Sequence, residues 1–147
     1  MKISVQAEDF DLGAECAAIA RGRTDIGAVA SFVGLVRDAN DGAGISRMTL
    51  EHYPGMAEAE IGRICREAAE RWLLQAITVV HRHGRIEPGE NIVLVATASP
   101  HRHAAFEAAS FVMDFLKSNA PFWKKEIGAD GAEWVAAKDE DETALKR

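Results

Sequence analysis

The chain has 147 residues, of which 48% are hydrophobic; this suits one domain with a substantial core and excludes disorder throughout. Its formal net charge of −6 excludes a general attraction to nucleic acid, so any anion site needs a local cluster of bases. No apolar run approaches the roughly 18 residues that a membrane span needs, and the first residues do not resemble a signal peptide. We therefore expect a cytoplasmic protein with no membrane or nucleic-acid partner.

The first third of the chain predicts a strand, a helix and a second, longer strand. Residues 1–10 alternate apolar and polar side chains, and residues 11–22 form a short helical pattern that ends at a glycine. Residues 25–38 are rich in valine and phenylalanine, and Gly27 and Gly34 indicate bulges or close backbone approach in that strand.

The middle of the chain predicts a loop over 39–44, a strand over 45–54 and a helix from Pro54 to about residue 74. That helix has one apolar stripe, formed by Ile61, Ile64, Cys65, Ala68 and Trp72. An inert core role is favoured for Cys65 over a chemical one. Neither cysteine belongs to a C-x-x-C pair, which suits a reducing compartment.

The last third predicts a hairpin from residues 76–86 and 91–99, joined by a Pro-Gly turn. A third helix follows, with Ser99 as its N-cap and Pro100 at its first position. Its buried side is predicted to include Phe106, Ala109 and Val112. Two short strands come next, and then a charged tail over 137–147.

The predicted order of elements is β-α-β-β-α-β-β-α-β-β. Hairpins outnumber βαβ units in this order, so it indicates an α+β fold with a largely antiparallel sheet and three helices. The sequence contains no internal repeat and no domain linker. We expect one catalytic domain over residues 1–136, followed by the tail.

The predicted start of the third helix brings His101 and Arg102 to unpaired backbone N–H groups. Helix N-termini attract anions, and a helix start that serves only its own stability prefers Asp or Glu to basic residues. An arginine adds bidentate recognition of phosphate. The pair therefore predicts an anion site, although two solvated surface residues remain the alternative.

Lysines near the other end of this helix are candidates for chemistry. Lys117 lies on one face with Met113, beside apolar surface, where a lysine can act as a base or simply reach solvent. In the strand Phe-Trp-Lys-Lys-Glu, alternation places Lys124 on the face of Phe122 and Lys125 on the other face. Edge-strand lysines that prevent aggregation are the alternative reading. Arg37, just before the glycine-rich loop, is a further candidate base.

A distance argument links these two groups of residues. His101 and Lys117 are sixteen residues apart on one predicted helix, or roughly 24 Å at about 1.5 Å per residue. A small substrate cannot touch both within one chain. If both serve one pocket, that pocket must combine two protomers across a two-fold interface.

Metal and cofactor chemistry have little support in the sequence. The segments 81–83 and 101–103 each have the pattern His-Arg-His, but no H-E-x-x-H motif or cysteine pair completes a zinc site. The motifs of α/β-hydrolases, P-loop NTPases and dinucleotide-binding folds are also absent from the sequence. We expect neither a metal nor a cofactor.

Several blocks together resemble one known family. FVGLVRDAN, LEHYPGM, HRHGRIEPGE, SPHRHAAFEA, DFLKSNAPFWKKE and GAEWV occur in this order over residues 26–135, and they resemble the large, catalytic subunit of molybdopterin synthase, the MoaE family. The resemblance implies an α/β-hammerhead-like fold and a sulfur transferase that converts precursor Z, a cyclic pyranopterin monophosphate, into molybdopterin. It also implies a homodimer that forms a heterotetramer with two small ubiquitin-like subunits, whose C-terminal Gly-Gly thiocarboxylates supply the sulfur.

The same resemblance assigns roles to individual residues. Lys117 matches the catalytic lysine of the family, and Lys124 matches its second active-site lysine. Arg37, His101 and Arg102 match substrate-binding positions, with the last two contributed by the opposite protomer. Flanking residues expected to line the same pocket are Leu35, Val36, Lys125 and Glu126.

Two readings from other classes remain open at this stage. A non-catalytic dimeric module could bind a phosphorylated metabolite through Arg37, His101 and Arg102. A scaffold for a ubiquitin-like protein would bind the partner's tail but no pterin. Loss of turnover with retained binding in a Lys117 variant would distinguish an enzyme from either.

Overall fold

The computed structural model describes residues 1–37, 39–40, 43–119, 122–128 and 131–135, and within 39–47 and 123–135 it describes the backbone alone. The predicted tail at 137–147 lies outside these residues. In chain order the elements are β1 (Lys2–Gln6), α1 (Leu12–Ala20), β2 (Ala28–Leu35), β3 (Ala39–Asn40), β4 (Ala43–His52), α2 (Met56–Arg71), β5 (Ala76–Arg82), β6 (Gly84–Ile86), β7 (Asn91–Ser99), α3 (Arg102–Ser118), β8 (Phe122–Gly128) and β9 (Gly131–Val135).

The first sheet has the strand order β1-β5-β7-β2. The β1–β5 pair is parallel, whereas β5–β7 and β7–β2 are antiparallel. Alternate residues of β5 and β7 face opposite sides, so Val79 and Val95 pack under α2 and α3, while Val80 and Leu94 pack with Ile19 of α1. The helices thus cover both faces of this sheet, and the main core lies under α2 and α3.

The second sheet has the order β3-β4-β8-β9, and β6 also pairs with β4. Its small core contains Met48, Leu50, Ile86 and Val36, the residue that follows β2. Among the described strands all pairs of this sheet are antiparallel. The predicted α+β fold, with three helices and largely antiparallel strands, is therefore confirmed, but the strands are divided between two sheets.

The predicted hairpin is correct only in part. β5 and β7 pair as expected, but residues 84–86 leave this pairing and join β4 of the second sheet. Gly84 makes the change of direction possible, since its φ of 87° lies in a region that glycine adopts without strain. A sequence pattern shows that a run is extended but not which sheet it joins.

The predicted loop over 39–44 is also wrong in its described part. Ala39 and Asn40 pair with Gly44 and Ala43, so strand structure begins earlier than its glycines suggested. Residues 41 and 42 of that segment lie outside the described residues.

The start of α3 differs from the prediction because sheet pairing extends further than expected. Ser99 is the last residue of β7, paired with Ala28, and the N-cap is His101 instead. The Ser99 hydroxyl still accepts a hydrogen bond from the His101 N–H, at 3.4 Å. Phe106 is 65% exposed, so its predicted burial is wrong, whereas Ala109 and Val112 are buried as predicted.

The apolar stripe predicted for α2 is confirmed. Ile61, Ile64, Cys65 and Ala68 are buried against the first sheet, while Arg63 pairs with acidic residues on the outer side. The helix ends at Arg71, a few residues before the predicted end. Within the described part of the chain, no helix combines the length and the apolar character needed to cross a membrane.

Candidate functional site

The predicted site residues lie in two places, one at each end of α3 where it packs on the first sheet. β7 ends at Ser99 beside Ala28, where β2 begins, and α3 then packs back along β7 and β2. The start of α3 therefore lies at the beginning of β2. Its last turn lies near the end of β2, since 17 helical residues and eight strand residues both span about 26 Å.

The start of α3 borders an open depression of about 570 Å3. Its lining residues are Gly27, Pro100, His101, Arg102, His103 and Phe106. His101, Arg102 and His103 are all exposed. Among the described residues at this helix start there is no acidic side chain in the first turn, and the side chain of the N-cap residue His101 makes no capping hydrogen bond. Basic side chains thus surround uncapped N–H groups, which suits a phosphate-sized anion.

Gly27 forms the wall of this depression beneath Pro100. Its N–H donates to the Ser99 carbonyl at 3.1 Å. A Cβ added at Gly27 would lie 2.0 Å from the Pro100 carbonyl oxygen, far inside van der Waals contact. The close approach predicted for Gly27 is therefore confirmed, and it holds the chain entering α3 against the start of β2.

Lys117 and Arg37 lie at the opposite end. Lys117 is exposed in the last turn of α3, next to the buried Leu116, and Arg37 is exposed two residues after β2. Leu35 is 52% exposed at this end. Val36 packs in the small core of the second sheet, its N–H donates to the Glu90 carbonyl and its own carbonyl accepts from the Gly89 N–H.

Strand β8 brings the second predicted lysine to this end. It pairs with β4 in a register that sets Lys124 opposite Leu50, Lys125 opposite Thr49 and Glu126 opposite Met48. The side chains of these three β8 residues lie outside the described part of the structure. Phe122, two residues before Lys124, stacks on His81 of β5 with ring centroids 3.9 Å apart, which ties the start of β8 to the first sheet.

Two histidines, His81 and His52, lie against Phe122, and a third, His83, lies against His52. The His52 ring lies 6.0 Å from Phe122 and 4.4 Å from the His83 ring. Burial, and to a lesser extent the charge of Lys117, lowers the pKa of His81 to about 4. His81 is therefore uncharged at neutral pH, although it lies within electrostatic reach of Lys117.

The arrangement does not favour the metal alternative. His81 is buried against Phe122 and its Nδ1 lies 2.9 Å from the Arg82 carbonyl oxygen, so this nitrogen carries a proton and donates to that oxygen. Across the described residues, no group of three or more His, Cys, Asp or Glu side chains has a geometry that could hold a metal ion.

Neither cysteine lines the depression at the start of α3. Cys65 is buried in α2, and burial raises the pKa of its thiol to about 11. It is therefore a protonated core residue at neutral pH, as the sequence predicted. Neither Cys16 nor Cys65 forms a disulfide.

The structure thus brings the predicted residues together in two groups rather than one. His101 and Arg102 share the depression, whereas Lys117, Arg37 and the backbone of Lys124 lie at the other end. Sequence reasoning missed the contributions of Phe106 and His103 to the depression, and of His81 to the surroundings of Lys117. The His-Arg-His segments were the available signal, but apart from His101 and Arg102 they were weighed only as metal ligands.

Comparison with known proteins identifies the family to which this chain is similar. The family model described as MoaE protein matches residues 5–119. The molybdopterin synthase catalytic subunit of Mesorhizobium japonicum is 64% identical, over 99% of this chain and 91% of that protein. The molybdopterin biosynthesis MoaE protein from Burkholderia ambifaria superimposes with a TM-score of 0.85 at 49% identity, over 99% of this chain and 96% of its own.

A more distant structure shares the fold. It is the protein–protein complex of subunits 1 and 2 of molybdopterin-converting factor from Helicobacter pylori, with a TM-score of 0.68 at 22% identity over 94% of this chain and 90% of that one. The family model and the high-identity relatives cover nearly all the residues that form both ends of the site. The chain therefore belongs to the MoaE family, the catalytic subunits of molybdopterin synthase.

Proposed function

We propose that the chain transfers sulfur from the C-terminal thiocarboxylate of a small ubiquitin-like subunit to precursor Z, a cyclic pyranopterin monophosphate, and so forms molybdopterin. The observation that carries this proposal is the gathering of Lys117, Arg37 and the start of β8 at one end of the first sheet. These residues come from three separated parts of the chain, and two of them supply exposed positive charge.

The proposed chemistry divides between the two ends of α3. Arg102, His101 and the uncapped N–H groups hold the phosphate of the substrate. The sulfur of each of two thiocarboxylates forms a bond to a carbon of the substrate; water then cleaves the acyl–sulfur bond, so the sulfur stays on the substrate and the donor tail leaves as a carboxylate. Lys117 and Lys124 neutralise the negative charge that develops during transfer, move a proton, or hold the departing carboxylate.

One substrate can reach both ends only if two protomers share the site. His101 and Lys117 lie at opposite ends of α3, about 24 Å apart along the helix axis. We propose a homodimer in which each pocket combines Lys117, Lys124 and Arg37 of one protomer with His101 and Arg102 of its partner. The dimer binds one small subunit at each end as a heterotetramer, and the Helicobacter pylori complex of subunits 1 and 2 supports such a partner. The cytoplasmic location stays a prediction.

The test is a reconstituted assay with precursor Z and the thiocarboxylated small subunit, in which molybdopterin is detected as a fluorescent oxidised derivative. Wild type is expected to form product. Lys117→Ala is expected to lose at least about 100-fold in turnover, because removing a group that acts on the reacting atoms costs 10²–10⁴-fold. Lys2→Ala is the control, since Lys2 is an exposed lysine of β1 whose ammonium pairs with Glu15.

Binding measurements separate the enzyme from a metabolite-binding module. Lys117→Ala should keep the wild-type affinity for precursor Z, measured by calorimetry, while turnover is lost. A loss of turnover that merely follows a loss of affinity would favour the binding module. No product from folded, dimeric wild type with its cognate small subunit would refute sulfur transfer.

A further inference from the structure

The turn at residues 87–90 is hydrogen-bonded to the segment that leads into Arg37. Val36 follows directly after β2, and its N–H donates to the Glu90 carbonyl at 3.0 Å. The Val36 carbonyl accepts from the Gly89 N–H at 2.8 Å. Both polar backbone groups of Val36 therefore bind the turn, and Arg37 is the next residue along the chain.

The pairing of β2 with β7 does not extend to Arg37. The register shifts between Gly34 and Leu35, and the last pair of these strands joins Leu35 to Asn91. In the part of the chain that the structure describes, the backbone that carries Arg37 is thus held by the contacts of Val36, which are its place in the small core and its two hydrogen bonds to the turn.

Arg82 holds the turn from the inside of the protein. It lies at the end of β5 and is only 7% exposed. Its Nη1 donates to Glu90 Oε2 at 3.1 Å and to the Asn91 carbonyl at 2.9 Å. Its Nε donates to the Ala7 carbonyl at 3.0 Å. One buried guanidinium therefore joins two distant segments, and the Glu90 carboxylate balances its charge.

The Glu90 carboxylate uses both of its oxygens. Oε2 accepts from Arg82, and Oε1 accepts from the Glu87 N–H at 3.3 Å. These two donors need two acceptor oxygens. A glutamine has only one acceptor oxygen, so at this position it would turn its NH2 group toward one of the donors. The carboxylate is therefore the group that connects the buried arginine to the turn.

We propose that Arg82 and Glu90 are positioning residues for the substrate site: their ion pair fixes the turn at 87–90, and the turn holds Arg37 where it binds the anionic substrate. The pair acts through the backbone of Val36 rather than on the substrate. The inference rests on the proposed function, in which Arg37 contacts precursor Z. The alternative is an ion pair that stabilises the fold and has no specific effect on Arg37.

The test variant is Glu90→Gln, and Glu87→Gln is its matched control. Both substitutions remove one negative charge from the same turn, so general electrostatic effects on an anionic ligand are equal. The Glu87 carboxylate accepts from Arg85 at 2.7 Å instead of from Arg82. The Glu90 side chain is partly exposed, and Arg82 keeps its two carbonyl acceptors, so Glu90→Gln should fold.

We expect Glu90→Gln to weaken the binding of precursor Z at least about fivefold, as measured by calorimetry. In the reconstituted assay KM should rise while kcat stays within about twofold of wild type, because a group that binds substrate and transition state equally affects KM alone. Glu87→Gln should remain within about twofold of wild type in affinity and in turnover.

A double-mutant cycle with Arg37→Ala separates positioning from a general loss of stability. If the ion pair acts through Arg37, Glu90→Gln should change the Kd by less than about twofold once residue 37 is alanine, because the positioned group is gone. A loss of affinity of the same size with and without the Arg37 side chain would overturn the inference.

Amide hydrogen exchange tests the same link without substrate. In Glu90→Gln the Val36 N–H should exchange at least about tenfold faster than in wild type, while the N–H of the buried Leu94 in β7 should keep its rate within about twofold. An unchanged rate at Val36 would overturn the inference. Equal acceleration at Val36 and Leu94 would also overturn it, since the pair would then stabilise the fold as a whole.

The failure of this inference is distinguishable from the failure of the proposed function. Wild type that binds precursor Z but forms no product would refute sulfur transfer, and the calorimetric cycle would still decide whether the ion pair positions Arg37. Wild type that does not bind precursor Z would refute both proposals.

Discussion

Burial lowers the pKa of two neighbouring histidines, His81 and His83. His81 is 6% exposed and its pKa falls to about 4, mainly because charging a buried ring is costly. His83, two residues later, is only half-buried, and its pKa is also lowered, mainly by desolvation. The unfolded chain has no such burial, so both histidines bind protons more readily when the protein unfolds.

The pKa of His81 is lower in the folded protein than in the unfolded chain, and this difference makes the stability depend on pH. Between the ordinary pKa of 6.5 and about 4, the unfolded chain binds a proton at His81 that the folded protein does not bind. Stability from this group is therefore complete above about pH 6.5 and declines as the pH falls. From about pH 7.5 to about pH 5 we expect His81 to account for a loss of about 2 kcal/mol in the free energy of unfolding.

Urea unfolding of wild type and His81→Phe at the two pH values measures this contribution. The variant should lose about 2 kcal/mol less than wild type over the same interval. Equal losses in the two proteins would mean that His81 titrates normally in the folded state.

At the scale of elements, α3 links the two ends of the site, and its beginning depends on Gly27. The Pro100 carbonyl lies where a Cβ of residue 27 would be, so the turn between β7 and α3 can close only against a glycine. Thr97 adds a second link, because its hydroxyl donates to the Ala105 carbonyl at 2.6 Å. The direction of α3 is thus set by contacts to both β2 and β7.

Gly27→Ala should move Pro100 and the basic residues that follow it. We expect a loss of about 1–3 kcal/mol in the free energy of unfolding, typical of overpacking against backbone, and weaker binding of precursor Z. Gly13→Ala is the control: Gly13 is in α1, an added Cβ meets only Asp11 at 3.4 Å, and alanine should stabilise by about 0.5–1 kcal/mol. Chemical unfolding and calorimetric titration measure both effects. Unchanged stability and affinity in Gly27→Ala would contradict this account.

The sequence predicts elements with regular periodicity better than the contacts between them. The α2 stripe is confirmed because a 3.6-residue period directly reports one buried face. The predicted ends of strands were wrong in two places. Sheet pairing continues further than expected at Ser99, and at Gly84 the chain leaves the first sheet and pairs in the second. Phe106 was assigned to the core because it is apolar, but the packing of α3 leaves it exposed.

The candidate site was predictable to a similar extent. The basic helix start and the separation of His101 from Lys117 both follow from residue type and spacing, and α3 contains them as expected. The contact of His81 with Phe122 joins residues forty-one positions apart in two different sheets. No local pattern encodes such a contact, so the surroundings of Lys117 emerged only from the tertiary structure.

At the scale of the whole molecule, the proposed pocket belongs to the dimer rather than to either chain. Arg102→Ala and Lys117→Ala should each be inactive alone. When equal amounts are mixed and allowed to exchange subunits, half of the dimers contain one chain of each kind. Every mixed dimer then has one pocket with both native residues, so we expect about a quarter of wild-type activity to return.

A second mixture controls for nonspecific rescue. Arg37→Ala and Lys117→Ala alter residues that the proposed pocket takes from the same protomer, so their mixed dimers contain no intact pocket and should stay inactive. Recovery in this mixture but not in the first would show that the protomers contribute in a different combination.

The length of α3 has a consequence for how this protein can change over evolution. An insertion of one residue within Arg102–Ser118 would turn its last turn by about 100° relative to its start and move it by about 1.5 Å. In the proposed dimer that single event would misalign both pockets at once, since each helix contributes to two of them. Insertions and deletions in this helix should therefore be selected against, whereas surface segments elsewhere in the chain can vary in length.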